Sequence, residues 1–260
     1  MSPLLKAIVI AFAAGTIALP TSDSSPSSSS IAPAHPAATS DRKALYQDLF
    51  TSPSATERFQ RLLVDPATGN LLSGAALRSR IVFDYNIGPS DLAGKVTAAV
   101  AASFPILVDQ DISTVTAFLN PCSLLVPHTH PQIESLVVTQ GNLTTGTLIP
   151  GLVGPGGGTG EIVQDLSQYQ GTVFPAGAIH YQLNPSCKPS IFVSSLSSSD
   201  PGTTLESTFF SLNGEVVAAA LGFPDAAVNG RDINSIRNKI PQGVIIAVEK
   251  CMKKCSLPIY

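Results

Sequence analysis

Between residues 80 and 195 the chain keeps no long pattern. It breaks into short β-rich runs at 81–85, 96–100, 114–119, 135–139, 144–149, 172–174, 180–183 and 191–196. Gly88-Pro89, Asn120-Pro121, Gln140-Gly141-Asn142 and the stretch from Pro150 to Gly160 separate them. These are turn signals, because Gly and Asn reach left-handed backbone and Pro fixes φ. About eight short strands closed by turns predict a closed β-barrel or a two-sheet jelly roll. The glycine-rich stretch 154–160 reads as a flexible loop. It has no Lys or Ser/Thr in phosphate-loop register, so it is not a phosphate cradle.

Helices flank this β region. Leu45, Leu49, Phe59, Leu62 and Leu63 recur at helical spacing, with a break at Ser52-Pro53, and predict one or two helices over 41–64. Past Pro201 the pattern turns helical again, with a short helix at 214–222 and a longer one at 232–254 interrupted at Pro241. Val244, Ile245, Ile246, Val248 and Met252 make the second amphipathic. It packs on its own barrel or also on a neighbouring subunit. The 260 residues can bury one real core or at most two small ones. The expectation is a mainly β domain over 41–260, with a barrel core at about 80–200 and C-terminal helices at about 212–255.

The N-terminus reads as an export signal. Lys6 precedes an apolar stretch at 7–17 that is too short to span a bilayer, and Thr16-Ile17-Ala18 offers small residues for cleavage. Residues 1–18 are therefore expected to be a signal peptide. Residues 19–40, rich in Ser, Pro and Ala, are expected to be a disordered linker. That places the protein outside the cell, secreted or in the wall. No other segment is long and apolar enough to cross a membrane. A net charge of −3, without a basic run, argues against a nucleic-acid partner.

The cysteines agree with export. There are four, Cys122, Cys187, Cys251 and Cys255, and an even number in an oxidising compartment suggests two disulfides. Cys122 precedes one histidine motif and Cys187 follows the other, so these two pair if the motifs meet in space. Cys251 and Cys255 share a helical face near the limit of bridging geometry.

Histidine placement carries the chemistry. Of four histidines, His35 lies in the Ser/Pro-rich stretch, and the rest fall in two motifs. The first is Pro127-His128-Thr129-His130-Pro131 with Glu134. The second is Pro175-Ala176-Gly177-Ala178-Ile179-His180. Residues two apart on a strand face the same side, so His128 and His130 point together and Glu134 keeps their parity. His180 arrives on a second strand behind the Pro-x-Gly turn. Three imidazoles and a carboxylate leave two positions of an octahedral ion open to substrate, dioxygen or water. Gln182 and Asn184 share the inward face with His180; they orient a metal ligand or bind substrate, or else close the barrel end or cap a turn. Asn142-Leu143-Thr144 is a glycosylation acceptor pattern at a hairpin turn.

The run His128-x-His130-x-x-x-Glu134, followed after six residues by Gly141, resembles the first motif of the cupin superfamily. Pro175-x-Gly177-x-x-His180-x-x-x-Asn184 resembles the second. Pro127-His128-Thr129-His130-Pro131 looks like the germin branch. Asn120-Pro121-Cys122 and Asp200-Pro201-Gly202-Thr203 look like its fungal and slime-mould spherulin-like group. The resemblance covers roughly 81–255. It implies a β-barrel jelly roll with C-terminal helices, a homo-oligomer (dimer, trimer or hexamer), and a divalent metal on His128, His130, Glu134 and His180. Manganese is the usual ion of the family. Iron, zinc, copper and nickel are the others such donors admit.

Three departures stand out. Cys122 replaces the glycine that opens the first motif. Tyr169 replaces the one that opens the second, with Gly171 displaced by two; both read as spacing changes on strands that need not affect the metal. Germin oxalate oxidases carry asparagines three and thirteen residues before the first motif histidine, where this chain has Leu125 and Val115. Two neutral donors to a carboxylate substrate are lost, each worth about 1.5–3 kcal/mol, and oxalate oxidation is disfavoured. Three functions compete: a manganese oxidoreductase acting on superoxide or a small acid, a structural or ligand-binding protein of the cell surface or spore coat, and a cupin isomerase or lyase. No protein base or nucleophile is evident beyond the ligands.

Overall fold

The computed structural model describes residues 39–86, 88, 94–152, 160–212 and 250–257. The expected signal peptide, the expected linker up to residue 38, the helix at 214–222 and most of that at 232–254 lie outside the described residues.

Ten strands form two antiparallel five-stranded sheets. One sheet has the order β1 (Gly94–Ala99), β2 (Ser113–Leu119), β9 (Ser190–Leu196), β4 (Glu134–Gln140), β7 (Gly171–Phe174). The other has β10 (Thr204–Leu205), β3 (Leu124–Thr129), β8 (Ile179–Leu183), β5 (Asn142–Leu148), β6 (Ile162–Ser167). The expected mainly β jelly roll is thus present. Alternation makes it: along β4, Glu134, Leu136 and Val138 are buried while Ser135 and Val137 face out. The inner faces meet in one core built from Ala117, Leu119, Leu125, Leu136, Val138, Leu143, Leu166, Phe174 and Phe192.

The helical reading of 41–64 holds. α1 (Thr39–Thr51) and α2 (Ala55–Leu63) are split at Ser52-Pro53, and the Ser54 hydroxyl caps α2 by accepting from the Glu57 amide at 3.2 Å. Leu49 and Leu62 pack on Ala101 and Val108 of the β1–β2 connection. Tyr46 pins the same connection by donating to the Ala101 carbonyl at 2.6 Å.

Residues 81–85 are not a strand. Ile81 ends a third helix, α3 (Gly74–Ile81), and the following aromatics satisfy each other instead of a ladder. Phe83 packs on Tyr85 at 4.9 Å and on Phe104 at 5.5 Å. Three strands lie outside the β-rich runs. Pro127 obscures β3, exposed polar residues such as Gln164 and Asp165 obscure the edge strand β6, and β10 is two residues long.

The disulfides are Cys122–Cys251 and Cys187–Cys255, so the expectation that Cys122 pairs with Cys187 is corrected. The i,i+4 cysteines do not bridge each other. Cys251 lies on a helical turn at 250–254 and Cys255 just past it, and Met252 packs against the Leu124–Leu183 cluster on the outer sheet face. A Cys122–Cys187 link would have tied two parts of the barrel. The observed links tie the chain's end to it. We predict that a non-reducing digest yields both observed peptides and no Cys122–Cys187 peptide. Cys122→Ser/Cys251→Ser should lower unfolding free energy by about 2–4 kcal/mol in a denaturant titration.

Candidate metal centre

His128, His130, Glu134 and His180 converge between the sheets. All four are buried, and one ligand atom from each lies within 4.8 Å of the others. His128 and His180 face each other across the β3–β8 ladder, with rings 4.3 Å apart. Glu134 comes from the opposite sheet as the first residue of β4. His130 sits just past the end of β3, where its carbonyl accepts the Gly177 amide at 2.8 Å. Gly177 has φ +75°, which is why glycine suits the Pro175-x-Gly turn. Phe174 stacks on the His180 ring at 4.1 Å and 11°.

The imidazoles are oriented by backbone. Each Nδ1 lies against a carbonyl oxygen: His128 on Val126 at 2.7 Å, His180 on Ala178 at 2.9 Å, His130 on Gly202 at 2.6 Å. A carbonyl only accepts, so Nδ1 carries the proton and Nε2 is the nitrogen an ion can take. Glu134 Oε2 lies 3.1 Å from His180 Nε2 and 3.3 Å from His130 Nε2. Donors bound to one ion at 2.0–2.2 Å stand about 3–4.4 Å apart, so this cluster nearly matches a coordination shell. Three imidazoles and a carboxylate form a site that can bind a divalent metal.

Charge at the site follows from burial and contact. Burial pushes the His128 imidazole down to about 3, and the neighbouring His180 adds to the effect. Burial also pulls on His130, but the Glu134 carboxylate and the Gly202 carbonyl outweigh it and hold its pKa above the usual value. For Glu134, burial favours the neutral acid. Contact with the His130 and His180 imidazoles prevails and holds it well below the usual carboxylate range.

The other sequence candidates separate. Gln182 is fully buried, and neither atom of its carboxamide has a hydrogen-bond partner. It stands two residues from His180 and opposite Leu125. Leu125 belongs to the apolar core, and half-buried Val115 lies opposite Ser194. Asn184 shapes a loop. Its amide donates to the carbonyls of Leu119, Asn120 and Lys188 at 3.2, 2.9 and 2.8 Å, and its oxygen accepts from Ser186. Asn142 is exposed at the β4–β5 turn. Cys122 and Tyr169 lie in turns, not on strands, with φ of +58° and +66°. They occupy the left-handed backbone that glycine serves at those motif positions. Phe174, Ser194 and the Gly202 carbonyl carry no motif of their own and emerge only from the fold.

Two antiparallel sheets with a three-imidazole, one-carboxylate cluster between them define the class. The chain belongs to the cupin family, whose profile matches residues 89–229. Its relatives are spherulins and germin-like proteins. Spherulin-1A of Physarum polycephalum is 28% identical over 183 residues, 68% of this chain and 70% of that protein. Germin-like protein 1 of Brassica napus is 33% identical over 155 residues, 56% of this chain and 72% of that protein. Among solved structures, an oxalate oxidase in complex with the substrate analogue glycolate aligns with a TM-score of 0.48 at 19% identity, covering 70% of this chain and 91% of that one.

The depressed His128 pKa has a consequence for the metal-free protein. Between about pH 6.5 and pH 3 the unfolded chain binds a proton there that the folded chain refuses, so stability falls with acidification across that window. Glu134 acts in the same direction, adding stability above its unfolded pKa that is lost as pH falls. His130 acts oppositely, through stability held at low pH and lost as pH rises. Urea midpoints of metal-free protein should drop from pH 7 to pH 4 by the equivalent of a few kcal/mol. A flat profile would contradict the burial of a neutral His128.

Proposed function

We propose that the chain is an exported metalloprotein that holds one divalent ion, manganese in the first instance, on His128, His130, Glu134 and His180. It uses that ion in oxidoreductase chemistry on a small molecule, with superoxide dismutation first among the candidates. The observation that carries this reading is a buried carboxylate between two imidazoles, with all three histidines presenting Nε2 inward. A redox-active ion there would supply electron transfer to a ligand in its open positions.

The protein's own residues orient and exclude. Glu134 and His130 share a proton that they give up on ion loading. The Gln182 carboxamide offers one donor and one acceptor to a bound small molecule, which would answer its lack of partners. Leu125 and Val115 offer a carboxylate no donor, which speaks against oxalate as substrate. Export, assembly as a dimer, trimer or hexamer, and a glycan on Asn142 belong to the same reading. Among the described residues no helix is long and apolar enough to cross a membrane.

A second reading is favoured by one feature: the ligands come from both sheets, so an ion would also cross-link the sandwich. The protein would then be a non-catalytic surface or coat component stabilised by metal. Elemental analysis of protein purified from its native medium, with superoxide and oxalate assays, separates the two. The oxidoreductase reading predicts one manganese per chain and turnover of superoxide but not oxalate. A metal-dependent rise in melting temperature without turnover supports the structural reading. Glu134→Gln should weaken manganese binding at least about tenfold by calorimetry, and retained affinity would remove Glu134 from the ligand set.

A further inference from the structure

The three imidazoles are not held alike. His128 and His180 each give Nδ1–H to a carbonyl two residues earlier, so the surrounding strand orients the ring. His130 lies beyond β3 and takes its carbonyl from Gly202, 72 residues on. The Thr203 hydroxyl oxygen lies 3.3 Å from the same nitrogen.

The segment carrying Gly202 is fastened on both sides. Before it, the Ser197 amide donates to the Ile133 carbonyl at 3.0 Å, and the Ser199 carbonyl accepts the Ala101 amide at 2.7 Å. After it, β10 pairs Thr204 with Thr129 and Leu205 with His128. Gly202 has φ +62°, and a Cβ built on it would meet nothing within 4 Å. The position therefore requires a left-handed backbone but no empty space.

We propose that Pro201-Gly202-Thr203 is a positioning clasp that fixes His130 in the tautomer able to coordinate through Nε2, and so sets the affinity of the site. A neutral imidazole has two tautomers, and the wrong one turns an N–H toward the ion. For His128 and His180 the local strand makes that choice. For His130 a distant loop makes it. Occupancy and loop conformation are then linked reciprocally: what opens the loop weakens the ion, and the ion holds the loop closed. The clasp rests on the metal reading above, but its effect on the His130 ring exists without metal.

The test uses Gly202→Val, Gly202→Ala and Gly202→Asn in the full chain. Valine is strongly disfavoured in left-handed backbone, alanine less so, and asparagine tolerates it. None would clash. In metal-free protein labelled with ¹⁵N-histidine, at a pH above the raised His130 pKa where the ring is neutral, Gly202→Val should lose the single Nδ1–H tautomer at His130 alone. His128 and His180 should be unchanged. Its affinity for manganese and for zinc should fall about 10–100-fold by calorimetry. Gly202→Ala should fall between, and Gly202→Asn should bind like the unmodified protein. A general loss of structure would move all three histidine signals together. Should Gly202→Val fail to fold, Gly202→Ala carries the test. A folded valine or alanine variant with unchanged His130 tautomer and affinity would overturn the clasp. Unmodified protein that binds neither ion would overturn the metal reading, while the tautomer spectrum would still decide the clasp.

Discussion

A charged carboxylate in the gap between two β-sheets must be compensated, because burying an unpaired ion costs far more than any single packing contact returns. Glu134 is that carboxylate. It leaves one sheet and meets His130 and His180 on the side of the other. The arrangement around it follows from this demand. The two histidines must approach with Nε2, so their Nδ1 atoms must be occupied elsewhere, and backbone carbonyls occupy them. A proton on His130 can satisfy the charge, and so can a divalent ion. The side chains that form this ion pair can also hold a divalent metal.

The jelly roll makes this convergence cheap. Antiparallel pairing sets His128 directly opposite His180, and the inward phase of β4 aims Glu134 at them across the core. Phe174, beside Glu134 in the ladder, stacks on His180 and ties the cluster to the apolar interior. The disulfides act at a different place. They fix the end of the chain to the outer face of the histidine-bearing sheet and do not touch the ligands. His130 is the one ligand whose placement depends on chain far from its own strand.

How much of this could be read from residue order follows from range. The strands with alternating β-branched residues and glycine or proline turns were legible, and so were the two helices split at Ser52-Pro53. The cluster of His128, His130, Glu134 and His180 was legible because three of four histidines fall in two short motifs with strand parity. Signals failed where the determining contact is distant or the local pattern is ambiguous. The run at 81–85 has strand composition, but Phe83 packs on Phe104 and Tyr85. Pro127 disguises β3. Cysteine pairing depends on where a C-terminal turn docks, which spacing cannot give. The opening positions of both motifs looked like strand substitutions. They are left-handed turns occupied by Cys122 and Tyr169. Asn184 and Gln182 share one parity, yet one is saturated by loop carbonyls and the other is unpartnered, a difference only the folded chain displays.

Glu134 and the three histidines stand close enough together to form one coordination shell. The most direct measurement is anomalous diffraction from crystals of the protein loaded with manganese. A single anomalous peak per chain is expected between the sheets, within about 2.0–2.3 Å of Nε2 of His128, His130 and His180 and of a Glu134 oxygen. A peak elsewhere, or Glu134 still paired to the imidazoles with no peak between them, would contradict it.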